Sequence, residues 1–578
     1  ESDVGDTAAY EPESQTVTHY KGFRYFMANV MVDGKAGIER FAIGQKGAPG
    51  RDGTWRDAED DGNLGMNPIA QGAVDSVTAA ATRVPGNGDK IVYYWIAAAK
   101  VWEGSWDGAK ELNHKVVKRG PESFIERTRS YWRLWVNKEP TEFFGLPPSV
   151  VDLYKRSLLI IATHVDEGGG IVAANDSDIM HFARDTYSYV WPRDGALVAH
   201  ALDMAGYGEM SHRFFSFCAD VIKNDGYLLH KYNPDKSLAS SWHPWVAGPV
   251  LTPGMSQADL KLGRAQLPIQ EDETALVVWA MWRHFQRYRD IQTMKPLYGR
   301  FIRKAADFMV GYREPHTKLP APSYDLWEER RGILTFTCAA VHGGLSAAAE
   351  FARAFGDDEH AERYATAAAE IRAGMDAHLW RPELDRFARM INVSDDGTVT
   401  VDATIDASLY GAFAFGAYTP DDPRIESTMQ QVRDRLWCKT EVGGVARYEG
   451  DYYHAISSDT RNVPGNPWFI CTMWLALHIV HKAKTVEELS PAVEILEWVD
   501  SRKLPSGVLA EQVNPYTNAP MSVSPLTWSH ATVVDVVQSY LEKRESVERC
   551  PTCGGPKRRK IEGYERSDSA TPTDPHNH

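Results

Sequence analysis

Between residues 148 and 543 the chain alternates short and long connections between helical stretches, and this alternation restricts the fold more than any other feature. Apolar residues recur at three- and four-residue spacing in roughly twelve stretches. They lie near 148–163, 194–205, 208–222, 272–289, 292–313, 333–355, 358–379, 402–412, 423–436, 467–483, 486–503 and 526–543. Connections from even to odd stretches are mostly a few residues, as at 206–207 and 356–357. Connections from odd to even run to roughly twenty to fifty residues, far above the usual length. In an antiparallel helical toroid, alternate connections lie at the same end. One end is therefore trimmed and the other carries the long loops. Long loops on a rigid scaffold usually carry function. The pattern predicts an all-α barrel of helical hairpins over 147–546, with its site at one mouth.

The first 115 residues read differently. Segments 22–32 (GFRYFMANVMV) and 90–100 (KIVYYWIAAAK) are aromatic and β-branched, and turns such as 47–53 (GAPGRDG) separate such runs. A β-sandwich fits. Residues 121–137 (PESFIERTRSYWRLWVN) form an amphipathic helix pattern within a linker expected over 116–146. At 578 residues the chain is too long for one ordinary core, so a second domain is expected in any case. Residues 547–578 are polar, with a basic 557–560 (KRRK), and read as a disordered tail.

Several function classes are disfavoured. The net charge of −15 is the opposite of a nucleic-acid binder's balance. No apolar run is long enough to cross a membrane. Glu1 opens directly into strand-like sequence with no initiator Met, which reads as a truncated or processed start. The expected compartment is the cytoplasm, with export also open. Cys218, Cys338, Cys438 and Cys471 lie singly in apolar surroundings and read as reduced core residues. Cys550 and Cys553 form a lone CPTC, half of a zinc ribbon with no second pair. No metal cluster, phosphate-binding Gly-rich loop or GxSxG elbow is present, so neither metal nor cofactor is expected.

The unusual segments all precede even-numbered helices. In 187–195 (YSYVWPRDG), Arg193 and Asp194 open a helix; the plain alternative is an Asp194 N-cap with Arg193 as its surface partner. The acids of 268–275 (PIQEDETA) suit a helix N-terminus and lean to a structural role. In 324–330 (YDLWEER), an acid beside an indole has a poorly solvated anion and a raised pKa, which suits a general acid. First-turn acids are the alternative. In 443–454 (GGVARYEGDYYH), Arg447 among aromatics could clamp hydroxyls or simply pair with Glu449 or Asp451, and Gly443 and Gly444 permit close backbone approach. Glu511 in 507–515 (GVLAEQVNP) follows an apolar run, where a carboxylate needs a partner or a task. Together these residues are a glycoside-hydrolysis set: a proton donor, a base or nucleophile, and oriented hydroxyl contacts.

WPRDG (191–195), YDLWEER (324–330), GGVARY (443–448), GNPWF (465–469), AEQV (510–513) and LTWS (526–529) resemble the glucoamylase family, glycoside hydrolase family 15, in order and at matching spacing across 148–543. The N-terminal β region is similar to the sandwich preceding the barrel in bacterial and archaeal members. The resemblance implies an (α/α)6 barrel and an inverting mechanism acting on α-linked glucose oligo- or polysaccharides. It implies Glu328 as proton donor and Glu511 as the base activating water. Arg193, Asp194 and Arg447 match residues holding the terminal glucose. Tyr187, Trp327 and Trp528 match aromatic walls, with Trp191 beside them in its motif, and Glu329 matches a contact to the next sugar. The chain departs from the fungal pattern near 264–273, which leaves linkage open among α-1,4, α-1,6 and trehalose. A disaccharide phosphorylase and a non-catalytic glucan-binding relative are the more distant alternatives.

Overall fold

The computed structural model describes residues 6–22, 24–48, 51–52, 54, 62–100, 106–139, 141–175, 187–239, 269–394 and 396–548. The tail and its Cys550–Cys553 pair lie outside them. The chain divides into two compact units, Glu1–Asn137 and Lys138–His578.

In the first unit, Asp6–Glu11, Thr16–Lys21, Arg24–Val32, Lys35–Ala36, Ile69–Gln71 and Val92–Lys100 form one antiparallel sheet. A smaller sheet joins Arg40–Ala48 to Arg51–Asp52 and Val74–Ala79. Ala8, Val17 and Val30 of the first sheet share a buried cluster with Phe41 and Ile43 of the second, so the apolar faces oppose each other as in a sandwich. Two helices follow, α1 (Trp106–Arg119) and α2 (Pro121–Val136). The sequence reads as β-rich over the first 115 residues, but the chain turns helical at Trp106. Ala109 of α1 packs on Met27 and Ala97, and Asn113 accepts hydrogen bonds from Asn29 and Trp95 at 3.0 Å. Tertiary contacts thus select helix there.

The second unit is helical. Its hairpins are α3 (Pro148–Thr163) and α4 (Pro192–Met204), α5 (Gly208–Val221) and α6 (Glu271–Tyr288), then α7, which runs from Ile291–Leu297 through the π turn Tyr298–Ile302 into Arg303–Gly311, and α8 (Thr335–Phe355). They continue with α9 (Asp358–Gly374) and a short α10 (Ala407–Tyr410 with Gly411–Ala414), α11 (Pro423–Leu436) and α12 (Phe469–Lys482), α13 (Ser490–Asp500) and α14 (Thr527–Val547). The even helices form a closed inner ring: α4 packs on α6, α6 on α8, α8 on α10, α10 on α12, α12 on α14, and α14 back on α4. This is the (α/α)6 barrel. Inner helices are buried on nearly every face, as α8 shows with Phe336, Val341, Leu345 and Phe351. Outer α9 buries only a stripe, Ala361, Tyr364, Ala368 and Ile371. Gly344 sets one close approach, since a side chain there would meet the Ala275 carbonyl oxygen of α6 at 2.8 Å.

The long loops are laced at one mouth. Ser323–Tyr324, Arg331–Leu334, Met390–Val393 and Val399–Asp402 form a sheet tying the loop before α8 to that before α10. Bridges Val190–Tyr232, Ala174–Leu526, Val445–Trp468 and Trp468–Gln512 tie the loops before α4, α6, α12 and α14. Cys218, Cys338, Cys438 and Cys471 are buried free thiols. Among the described residues, no helix is long and apolar enough to cross a membrane.

Candidate active site

Pro192 stands at the first position of α4, where its fixed φ favours helix initiation. Trp191 is the N-cap, so Asp194 sits inside the first turn and does not cap it. Nor is Arg193 a surface residue: it is 3% exposed. Its guanidinium bonds Asp194 at 3.0 Å, Gln270 at 3.2 Å and Asp272 at 3.3 Å, and pairs with Glu273 at 3.3 Å. Asp272 and Glu273 of the 268–275 segment are therefore counterions of Arg193. One cation among several buried acids does not offset their loss of water, and burial pushes Asp194, Asp272 and Glu273 upward.

Glu328 lies in the turn between two short strands. Asp325 organises that turn: its carboxylate accepts from the Glu329 and Arg330 N–H groups at 2.7 and 3.0 Å, and its carbonyl accepts from the Glu328 N–H at 2.9 Å. Glu328 adopts φ +62°, a left-handed conformation costly for a side-chain-bearing residue and typical of functional sites. Its Oε1 accepts from Trp191 Nε1 at 2.7 Å. Its Oε2 lies 4.0 Å from His230 Nε2 and has no hydrogen-bond partner among the described residues. Burial raises its pKa, while Lys231, Arg193 and the Trp191 N–H draw it back. The indole bonded to the acid is thus Trp191, not its sequence neighbour Trp327. The Trp327 Nε1 donates instead to Asp406 at 3.1 and 3.2 Å, and its ring lies under Arg447.

Arg447 is buried, bonded to Asp451 at 2.6 and 2.8 Å and to Glu329 at 2.9 Å. Glu449 pairs elsewhere, with Arg435. Trp327, Tyr453 and Trp468 each place a ring within 4.9–5.1 Å of the Arg447 guanidinium. Gly443 and Gly444 have φ +66° and +92°, and a side chain at Gly444 would meet the Trp498 ring at 2.5 Å, so this loop requires glycine. Glu329 also accepts from Tyr448 and, at 2.7 Å, from Arg330.

Glu511 precedes a tight hairpin, Gln512–Val513 against Pro520–Met521, and its N–H donates to the Val523 carbonyl at 2.9 Å. It is 4% exposed. Burial pushes its carboxyl up to about 7 against the pull of Ser522, Arg447 and Gln512. Loss of water thus raises the carboxyls of both Glu328 and Glu511.

All ten residues singled out in the sequence line one cavity of about 410 Å³: Arg193, Asp194 and Arg447, the aromatic walls Tyr187, Trp191, Trp327 and Trp528, and the carboxyls of Glu328, Glu329 and Glu511. The family model for glycosyl hydrolases family 15 matches residues 150–538, the stretch that builds this cavity.

The chain belongs to family 15.

An uncharacterized glycosyl hydrolase of Methanocaldococcus jannaschii is 27% identical over 431 residues, covering 72% of this chain and 61% of the relative. A glucoamylase of a Clostridium species is 25% identical over 380 residues, covering 62% and 48%. A trehalase of Mycobacterium tuberculosis is 23% identical over 439 residues, covering 73% and 58%. This chain thus spans about half to three-fifths of the length of these relatives. Among solved structures, a bacterial glucoamylase complexed with acarbose superposes with a TM-score of 0.67 at 18% identity, over 93% of this chain and 75% of that one. That likeness carries the fold.

The family 15 motifs do not contain every residue at the site. Tyr453 lines the cavity and shares a 2.6 Å hydroxyl contact with Tyr187. His230 and Lys231, in the unremarked run 228–232 (LLHKY), stand behind Glu328. A lysine inside an apolar run was the available signal, since a buried ammonium is costly.

Proposed function

We propose that this chain is an inverting, exo-acting α-glucosidase that releases single glucose units from the non-reducing ends of α-glucans or maltooligosaccharides. The observation that carries this reading is that the part-buried Glu328 and the buried Glu511, on separate loops, both face the 410 Å³ cavity that Arg193, Asp194 and Arg447 line. Glu328 would donate its proton to the glycosidic oxygen as the bond to the anomeric carbon breaks. Glu511 would take a proton from a water attacking that carbon from the opposite side. The glucose then carries the β configuration, and the remaining chain leaves with a new hydroxyl. The buried Arg193 and Asp194 would hold the terminal glucose by charge-assisted hydrogen bonds, which suits a site taking chain ends only.

Glucoamylase and trehalase relatives both align with this chain, so a second reading keeps the same residues and places trehalose, or an α-1,6-linked glucan, in the cavity. A panel of maltose, maltotriose, isomaltose, dextran and trehalose, scored for free glucose, decides between them. Release of glucose phosphate in place of glucose would make the chain a phosphorylase. No turnover on any substrate would leave a binding protein.

A further inference from the structure

We propose that Lys231 is a positioning residue for the acid: seated over the ring of Trp191, whose indole N–H binds the Glu328 carboxyl, it keeps Glu328 acidic enough to protonate a sugar leaving group. The inference rests on the reading of Glu328 as the proton donor.

The geometry begins in the backbone. Val190 and Tyr232 exchange hydrogen bonds at 2.8 and 2.9 Å, so the 228–232 segment runs beside the stretch entering α4. Lys231 is fully buried, and its Nζ stands 4.6 Å from the centroid of the Tyr189 ring and 5.2 Å from that of the Trp191 ring. Trp191 in turn donates to Glu328 Oε1 at 2.7 Å. A cation over an indole favours the ring's orientation and strengthens its N–H as a donor. Lysine, indole and carboxyl therefore form one relay of contacts, with the ammonium buried behind the cavity wall.

The other groups facing Glu328 set the balance. Arg193 and Asp194 approach from the first turn of α4, Tyr187 and Trp191 from the stretch before it, and His230 from the residue next to Lys231. Asp325 lies beneath the turn that carries Glu328. Arg193 divides its charge among Asp194, Asp272 and Glu273. Lys231 draws the Glu328 carboxyl down more strongly than Arg193 does, against burial and Asp194. A carboxyl with burial alone would keep its proton too firmly. It would be a poor donor to a sugar alkoxide, which needs full protonation to leave, and a sufficient one for fluoride, which does not.

The test compares Lys231→Met and Lys231→Arg in the full chain. In a Glu511→Gln background only Glu328 of the pair titrates, and its carboxyl stretch is read by infrared difference against the same protein carrying Glu328→Gln. Lys231→Met should raise the Glu328 midpoint by about one pH unit, and Lys231→Arg should hold it near the parent position. With Glu511 restored, Lys231→Met should lose more turnover on maltose than on α-glucosyl fluoride. Should the Met variant not fold, Lys231→Gln carries the same comparison. A Glu328 midpoint that stays in place, with equal losses on both substrates, would reduce Lys231 to a packing residue and overturn the proposal. A parent enzyme that releases no glucose from any substrate would strike the hydrolase reading instead.

Discussion

The inner helices of the barrel hold a cavity at each end, and the larger one is at the end without the carboxyl pair. At the mouth, the N-terminal residues of α4 and α14 (Arg193, Asp194, Trp528) line about 410 Å³. Further along the same helices, Leu197 and His200 of α4, Trp279 and Trp282 of α6, and Asp535 and Ser539 of α14 line about 910 Å³. Volume is therefore not what marks the site. The far cavity has one deeply placed acid, Asp535, bonded at 3.1 Å to Ser539 one turn along its own helix. Loss of water pushes its His200 down to about 3. At the mouth, separate loops bring the carboxyls of Glu328 and Glu511 and two buried arginines to one space, and an oxygen of Glu328 is left without a partner among the described residues. Convergence from independent loops distinguishes the catalytic candidate from a gap in packing.

The strongest way to break this contrast is to remove one acid from each end. Glu328→Gln and Glu511→Gln should each lower glucose release by about 10²–10⁴-fold, the range of general acid–base catalysis, with substrate binding retained. Asp535→Asn should leave turnover within about twofold, as expected for a residue outside the chemistry. A comparable loss from Asp535→Asn, in steady-state assays on maltotriose, would remove the distinction.

A smaller effect separates binding from scaffolding at the mouth itself. Asp194→Ala should reduce kcat/KM by about 1.5–3 kcal/mol, the worth of a hydrogen bond to a charged group, while the thermal midpoint stays high enough for assay. An active but less stable variant would return Asp194 to a purely structural role beside Arg193.

Stability should respond alike at both ends and so sharpen the contrast with activity. Glu511 titrates at about 7 when folded against 4.5 as a free side chain, and Asp535 at about 6 against 3.8. Both folded values are raised. The stabilising contribution is therefore complete below the unfolded value and is lost as pH rises through the folded one. Glu511→Gln should thus be more stable than the parent above pH 7, and Asp535→Asn above pH 6, each on the order of 3 kcal/mol. Neither should gain below about pH 4. Denaturant melts at pH 4 and pH 8 read this directly; a Glu511→Gln variant less stable than the parent at pH 8 would contradict the dry environment assigned to that carboxyl.

The barrel was legible because its inner helices are apolar on almost every face and its long connections all fall before them. The site was legible for a related reason: Arg193, Glu328, Arg447 and Glu511 are ionisable residues in apolar loops, and burial is what ties such residues to a partner or a task. Packing decided the rest. Trp327 is next to Glu328 in sequence, yet Trp191 from another loop bonds the acid, and no spacing rule reports a contact between residues 137 positions apart. Lys231 sits in a run that reads as core. The helix Trp106–Arg119 follows a strand-rich region, and its pattern of Ala109, Asn113 and Val116 acquires meaning only against the sheet that Ala109 and Asn113 touch.

We propose that Glu328 and Glu511 act as acid and base on opposite faces of one glucosyl unit. Proton NMR of the first glucose released from maltotriose, recorded before mutarotation, tests it most directly. The nascent product should be β-glucose. Nascent α-glucose would make the reaction retaining, turn Glu511 into a nucleophile or a bystander, and contradict the assignment of both roles.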